Sequence, residues 1–350
     1  MSGSPIHSLL EEAGARYGER DGRRLPLHFG DPSREYGAFK TGAAMFDRSH
    51  LARIEHGGSD ALDLLHRLST NDLLDMAHGH SRRTIITTGD ARIIDVLTVV
   101  RRPSQPLLLL AGSGQAGRVL EWLDRYTFGE DSTPRDVTAE TAQVTVAGPK
   151  AAEVLSTAAR LPEVELAAGA HARVTIAGHP VEVVRTDELA GPTLELIVSS
   201  ALAAEIWRAL AHAGATPAGI LAYDAHRVAH GLPGYGIELD DRVNPHEANL
   251  LPLVSFTKGC YIGQEVVARL DTYDKVRMRL VGVRSDAPLS YGSTLMSDGH
   301  AVGEIRTVAG HGLFEGNAAL AYARRGFWDP GTVLDLQGGG KATVCAWPLE

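Results

Sequence analysis

Cysteine is nearly missing from this chain. Only Cys260 and Cys345 occur in 350 residues, so no disulfide framework can be drawn, and a reducing cytoplasm is the expected setting. Long apolar runs are missing as well. A run such as 107–111 falls far short of the ~18 residues that a membrane-spanning helix needs, and no membrane partner is expected. The first residues, Met1 to His7, lack the basic, apolar and small-residue order of a secretory leader. An excess of positive charge is also absent. Lys and Arg number 34 against 43 Asp and Glu, which argues against a surface that tracks a polyphosphate backbone.

What is present points to a globular protein of mixed class. Hydrophobic residues make up 44% and charged residues 22%, outside the disordered range, and the length suggests two or three domains. Helical spacing of Leu62, Leu65 and Leu68 after Ser59-Asp60 predicts a helix between residues 59 and 75. The almost continuous apolar run at 92–100 reads as a strand buried on both faces. A strand at 107–111 leads into a helix at 119–126. A second cycle then follows: strand 143–147, helix 150–159, strands 172–177, 181–186 and 193–198, and helix 201–213. That order resembles a ferredoxin-like unit. A helix is expected at 220–231, closed by Gly231. Beyond about residue 275 the pattern becomes six short strand-like runs separated by Gly- and Pro-bearing turns, the signature of a small β-barrel.

Generic motifs give little. Gly112-Ser113-Gly114-Gln115-Ala116-Gly117 has the G-x-G-x-x-G spacing of a dinucleotide site, but Asp136 follows Pro134 and precedes a strand, where a ribose-binding acid should close one. A glycine-rich strand-to-helix turn is the better reading. The fifteen histidines are scattered, without H-E-x-x-H or paired C-x-x-C spacing. His226 and His230 lie at i, i+4 on a helix with no third ligand nearby, so no metal is expected. The basic run Arg269, Lys275, Arg277, Arg279 and Arg284 alternates with Val276, Met278 and Leu280, as a solvated strand face does. RNA is not an expected partner.

Cys260 stands apart. It lies between Phe256 and a helix starting near Gly263, with Lys258 two residues before it. A nearby cation and a helix N-terminus both favour thiolate, and Gly259 and Gly263 let the backbone bend on either side. The residues alone leave two readings open: an activated thiol, or an inert cysteine in a loop whose glycines serve the turn.

The run Lys258-Gly259-Cys260-Tyr261-Ile262-Gly263-Gln264-Glu265 resembles the K-G-C-[FY]-x-G-Q-E signature of YgfZ-type proteins, in the superfamily of the glycine-cleavage T-protein. Asn244 to Leu250 before it and Val266 to Arg269 after it are similar too. Leu25 to Gly30, Gly42 to His50 and Thr70-Asn71-Asp72-Leu73 resemble segments of the wider superfamily. The resemblance covers nearly the whole chain. It implies an α+β fold of T-protein-like folate-binding modules, one of them ferredoxin-like, followed by a small C-terminal β-barrel. The expected divisions are 1–135 with a returning segment 220–275, then 136–219, then 276–350.

The resemblance also implies a function and a site. Tetrahydrofolate or a one-carbon derivative would be the cofactor, and iron–sulfur enzymes or their assembly factors the partners, with Cys260 as functional thiol at the rim of the folate cleft. Asp95 matches the carboxylate that faces the reactive amines of the folate. Glu195 matches the glutamate that grips the amino-pyrimidine edge, and Arg227 an arginine near the folate. Lys258, Gly259, Cys260, Tyr261, Gly263, Gln264 and Glu265 form the signature. Val96, Arg83 and Gly112 depart from the T-protein pattern. The alternative function is a folate-dependent aminomethyltransferase or demethylase using Asp95.

Overall fold

The computed structural model describes residues 4–20, 22–162, 166–310 and 312–349. Two sheets and a barrel carry the architecture. The first sheet has five strands in the order His80–Thr87, Ile93–Arg101, Leu107–Ser113, Leu51–Gly57 and Thr133–Asp136. Helices Ala61–Leu68 and Ala116–Arg125 pack on one face through Leu64, Leu65, Val119 and Trp122. The strand 93–101 is buried on both faces, as its apolar run requires.

The second sheet has six strands in the order His171–Ile176, His179–Thr186, Thr193–Ser199, Thr141–Ala147, Ala44–Asp47 and Thr216–Pro217. Five come from the unit expected at 136–219; Ala44–Asp47 enters from the N-terminal segment and pairs antiparallel with Thr141–Ala147. Its Val144, Val146, Leu194 and Leu196 form one core with helices Ala151–Ala159 and Ala203–His212. The alternate residues face the other way, toward the first sheet, where Val100, Leu108, Leu110, Val184 and Ile197 close the contact.

Residues 278–345 form a closed six-stranded barrel, and all six runs expected there are strands. Val281, Val283, Leu295, Ile305, Leu334 and Val344 fill its interior, each contributing ~1.5–3 kcal/mol by burial. The fold is the expected mixed α+β type with a C-terminal barrel. No helix among the described residues is long and apolar enough to cross a membrane.

Helix Ile220–His230 runs through the centre. It starts at Gly219, where a Cβ would sit 2.3 Å from the Leu27 carbonyl oxygen, so only glycine lets the chain pass. The Gly219 and Phe29 amides both donate to buried Glu35, at 3.0 and 2.6 Å. Gly231 ends the helix in the left-handed region with φ +69.

A candidate folate cavity between the sheets and the central helix

A cavity opens where the two sheets, the strand Arg23–His28 and the central helix meet. The empty space between its walls is about 1320 Å³, open solvent at the mouth included. Ile220, Tyr223, Asp224 and Arg227 line it as one stripe of the helix, as i, i+3, i+4, i+7 spacing dictates.

At one end lies Asp95, fully buried yet part of the wall. The amides of Gly112 and Val96 donate to its two oxygens, each at 2.8 Å. Burial pushes its carboxyl up to about 7, against the pull of those two amides and of Arg118. A carboxyl poised there can hold or release a proton near neutrality. Tyr235, whose hydroxyl accepts from Arg118 at 2.5 Å, packs beside it. A Cβ at Gly112 would lie 2.8 Å from Asp95 Oδ1 and 3.0 Å from Tyr235 Cγ. Gly112 is therefore a place of close approach to the carboxylate, and the G-x-G-x-x-G run is the strand-to-helix turn that the sequence favours.

The other end is a polar island between the sheets. Arg48 donates to Glu188 and to Glu195, each at 3.2 Å. Glu195 also accepts from Gln143 Nε2 at 2.7 Å and Thr145 Oγ1 at 2.5 Å. Burial, joined by the charge of Glu188, raises the Glu195 carboxyl despite Arg48. Burial works on Glu188 in the same direction, but Arg48 and then Arg83 outweigh it and hold that carboxyl low. His50 faces the cavity as a neutral ring, pushed down to about 3 by burial and by Arg48, Arg23 and Arg53. Arg23 and Arg83 line the cavity without a side-chain hydrogen bond or ion pair among the described residues, and their charges make that part of the wall positive.

The structure relocates several site residues expected from sequence. Glu195 is not part of the cavity wall; Arg48, Glu188 and Gln143 are, because the carboxylate lies in the sheet behind them. Arg227 does line the cavity, but all five of its N–H donors are taken. They bond Asp224 Oδ1 twice, Glu238 Oε2, the Leu232 carbonyl and Thr307 Oγ1. It ties the central helix to the following loop and to the barrel, with no donor left for a ligand.

The signature loop also lies elsewhere than expected. Residues 258–265 are outside the cavity lining, so Cys260 does not stand at its rim. Cys260 is exposed. Lys258 is turned away from it and buried, its Nζ donating to the carbonyls of His66, Ser69 and Asn71, which closes the end of helix Ala61–Leu68. Burial lowers its ammonium to about 8, with Asp72 opposing. Gly263, at φ +86, passes so close to Thr87 and Thr88 that a Cβ would meet the Thr88 carbonyl at 2.7 Å. The Ile262 carbonyl accepts from Thr87 Oγ1 at 2.8 Å. Tyr261 is buried in the central core. Gln264 and Glu265 open helix Gln264–Tyr273, and the Gly259 position is unconstrained.

His226 is a core residue bonded through one ring nitrogen only, its Nδ1 being buried without a partner. It donates to the Leu189 carbonyl at 2.7 Å and stacks on Phe39 at 4.2 Å, and burial pushes its ring down to about 4. No group of three or more His, Cys, Asp or Glu residues among those described could hold a metal.

Residues 6–258 match the family model described as the GCVT N-terminal domain. The chain belongs to the T-protein superfamily. It is 31% identical to an aminomethyltransferase of Saccharopolyspora erythraea, over 97% of this chain and 94% of that one. It is 29% identical to a putative chloroplastic transferase of Arabidopsis thaliana, over 93% of this chain and 76% of the relative. The crystal structure of the glycine cleavage system aminomethyltransferase T from Bartonella henselae shares its fold, with TM-score 0.88 and 24% identity over 98% and 96% of the two chains.

Within this superfamily member, sequence reasoning missed Gln143, Arg48, Glu188, His50 and Tyr235. Only Arg48 and His50 left a signal, since both stand inside the segment 42–50 that resembles the superfamily. Gln143 and Glu188 sit in no motif: Gln143 reaches Glu195 because strands Thr141–Ala147 and Thr193–Ser199 pair, and Glu188 reaches Arg48 from the turn after strand His179–Thr186.

Proposed function

We propose that this protein is a folate-dependent one-carbon transferase of the aminomethyltransferase type. The observation that carries the reading is Asp95, a buried carboxyl near neutrality at the wall of the cavity between the sheets, in a chain whose relatives are named aminomethyltransferase. The residues present fit a reduced folate. Arg48, Glu188, Glu195 and Gln143 gather acceptors and donors for a polar ring edge, and Arg23 and Arg83 offer charge for an acidic tail. Bound there, a reduced folate would supply the amine nitrogen that accepts a one-carbon unit.

The chain's own residues would then do the following. Asp95, held by two amides, orients a positive amine when ionised and takes or returns its proton. Tyr235 and Gly112 fix the carboxylate from both sides, and Val96 and Leu110 keep water from that end. Calorimetric titration with tetrahydrofolate tests the binding, and turnover with a lipoyl-linked aminomethyl donor or a methylated amine tests the reaction. Binding is expected in the wild type, and turnover is expected to be lost in Asp95→Asn. No binding of tetrahydrofolate by the wild type would sink the reading.

A second reading has one observation in its favour: the YgfZ-like octapeptide places an exposed thiol, Cys260, on a clamped loop. In that reading the protein supports iron–sulfur enzymes. One cysteine cannot hold a cluster that takes four thiolates, so the thiol would act with a partner. Cells carrying Cys260→Ala with full iron–sulfur enzyme activity would remove it.

A further inference from the structure

We propose that Arg118 is a positioning residue for the Asp95 carboxylate, acting through the Tyr235 hydroxyl that it holds. The proposal rests on the one-carbon-transfer reading above and deepens it by naming the group that governs the proton of its central carboxyl.

The placement follows from one turn. Strand Leu107–Ser113 brings the Gly112 amide to Asp95 Oδ2 at 2.8 Å, and helix Ala116–Arg125 leaves from there with Arg118 in its first turn. Arg118 is half-buried and lies outside the cavity wall. Its Nη1 donates to the Tyr235 hydroxyl at 2.5 Å, and it makes no ion pair among the described residues. Tyr235 is in the wall. A Cβ at Gly112 would touch both Asp95 Oδ1 and the Tyr235 ring, so the missing side chain lets ring and carboxylate share one spot. Arg118 ties the helix to the Tyr235 loop across that spot, and the phenol in turn fixes where the guanidinium stands.

An arginine stays charged at every working pH. With no carboxylate pairing it, Arg118 keeps a whole positive charge behind Tyr235, where the packed ring limits screening by water. Such a charge favours the ionised form of a nearby carboxyl. Burial raises the Asp95 carboxyl, and the Gly112 and Val96 amides and then Arg118 pull it back. The phenol feels Arg118 and Asp95, and also Asp241 from the loop beyond it.

Infrared difference titration of the free protein reads the Asp95 carboxyl directly, its band assigned by loss in Asp95→Asn. The wild-type midpoint is expected at about 7. Arg118→Met should move it up by about one pH unit. Arg118→Lys, which restores the charge, should return it to within about 0.3 unit of the wild type. Tyr235→Phe releases the guanidinium and should move the midpoint up by about half a unit. The pH limb of kcat should follow in each variant. Should Arg118→Met fail to fold, Arg118→Gln removes the charge and keeps a donor for the phenol. An unmoved midpoint in the uncharged variant overturns the proposal. So does an equal shift in Arg118→Lys, which reports a loosened wall, or no shift in Tyr235→Phe, which removes the route through the hydroxyl. Absence of tetrahydrofolate binding by the wild type overturns the one-carbon reading, while titration of the free protein still decides the role of Arg118.

Discussion

The loop 258–265 and the cavity around Asp95 use buried charge in opposite ways. In the loop, Lys258 is satisfied by three carbonyls of the neighbouring chain segment, and nothing in its surroundings invites a ligand. The charge serves to hold the loop against helix Ala61–Leu68. In the cavity, Asp95 is satisfied by only two amides and stays near neutrality, while Gln143 keeps an acceptor with no partner. The contrast separates a group whose bonds are complete from one whose bonds wait for something. A conspicuous motif marks the first, and residues scattered over several strands and a helix make the second.

The comparison can be broken most sharply at Asp95. Asp95→Asn is expected to lower turnover by ~10²–10⁴-fold while tetrahydrofolate binding stays within a few-fold. Wild-type kcat should rise through about pH 7 as the carboxyl ionises, and the rise should vanish in the variant. Stability runs the other way. The folded-state pKa lies above the usual 3.8, so the folded protein binds the extra proton between about pH 4 and 7. Its contribution is whole below that window and is lost as pH rises through it. Denaturant melts at pH 5 and pH 8 give the sign.

The next effect is one of stability. Arg227→Met leaves buried Glu238 without an ion-pair partner and Asp224 with Arg20 alone, and is expected to cost ~3–5 kcal/mol, measured by urea unfolding. A variant that folds normally but loses folate affinity would instead restore Arg227 as a ligand contact. Lys258→Met leaves three carbonyls unpaired and should cost about 2–3 kcal/mol, with tetrahydrofolate affinity unchanged in the folded fraction. The smallest effect is expected at Cys260, where the side chain is exposed. Cys260→Ala should change stability by less than about 0.5 kcal/mol and leave folate binding alone. A large loss of binding in that variant would erase the distinction between loop and cavity.

Much of the fold is legible in the order of the residues. The barrel strands announce themselves because each is a short apolar run bounded by Gly or Pro, and a closed barrel needs little else. The central helix can be read from its periodicity and from Gly231. Asp95 is legible as a site residue through the superfamily pattern, and its burial follows from the apolar strand that carries it. Strand Ala44–Asp47 is not legible as part of the second sheet, since its place depends on pairing with Thr141–Ala147 nearly a hundred residues later. The saturation of Arg227 is equally hidden, because Glu238 and Thr307 reach it from a loop and from the barrel.

Local sequence by itself determined where strands and helices form, where glycine must stand and which family pattern the chain follows, because those depend on neighbours within a few positions. It also determined that Lys258 and Cys260 share one short loop. Only the tertiary structure decided what each residue faces. Burial and pairing arise from segments that meet in space, and they turned Lys258 from the thiol to a cage of carbonyls. They also set Glu195 behind Gln143 and left Asp95 in an environment dry enough to keep its proton near neutral pH.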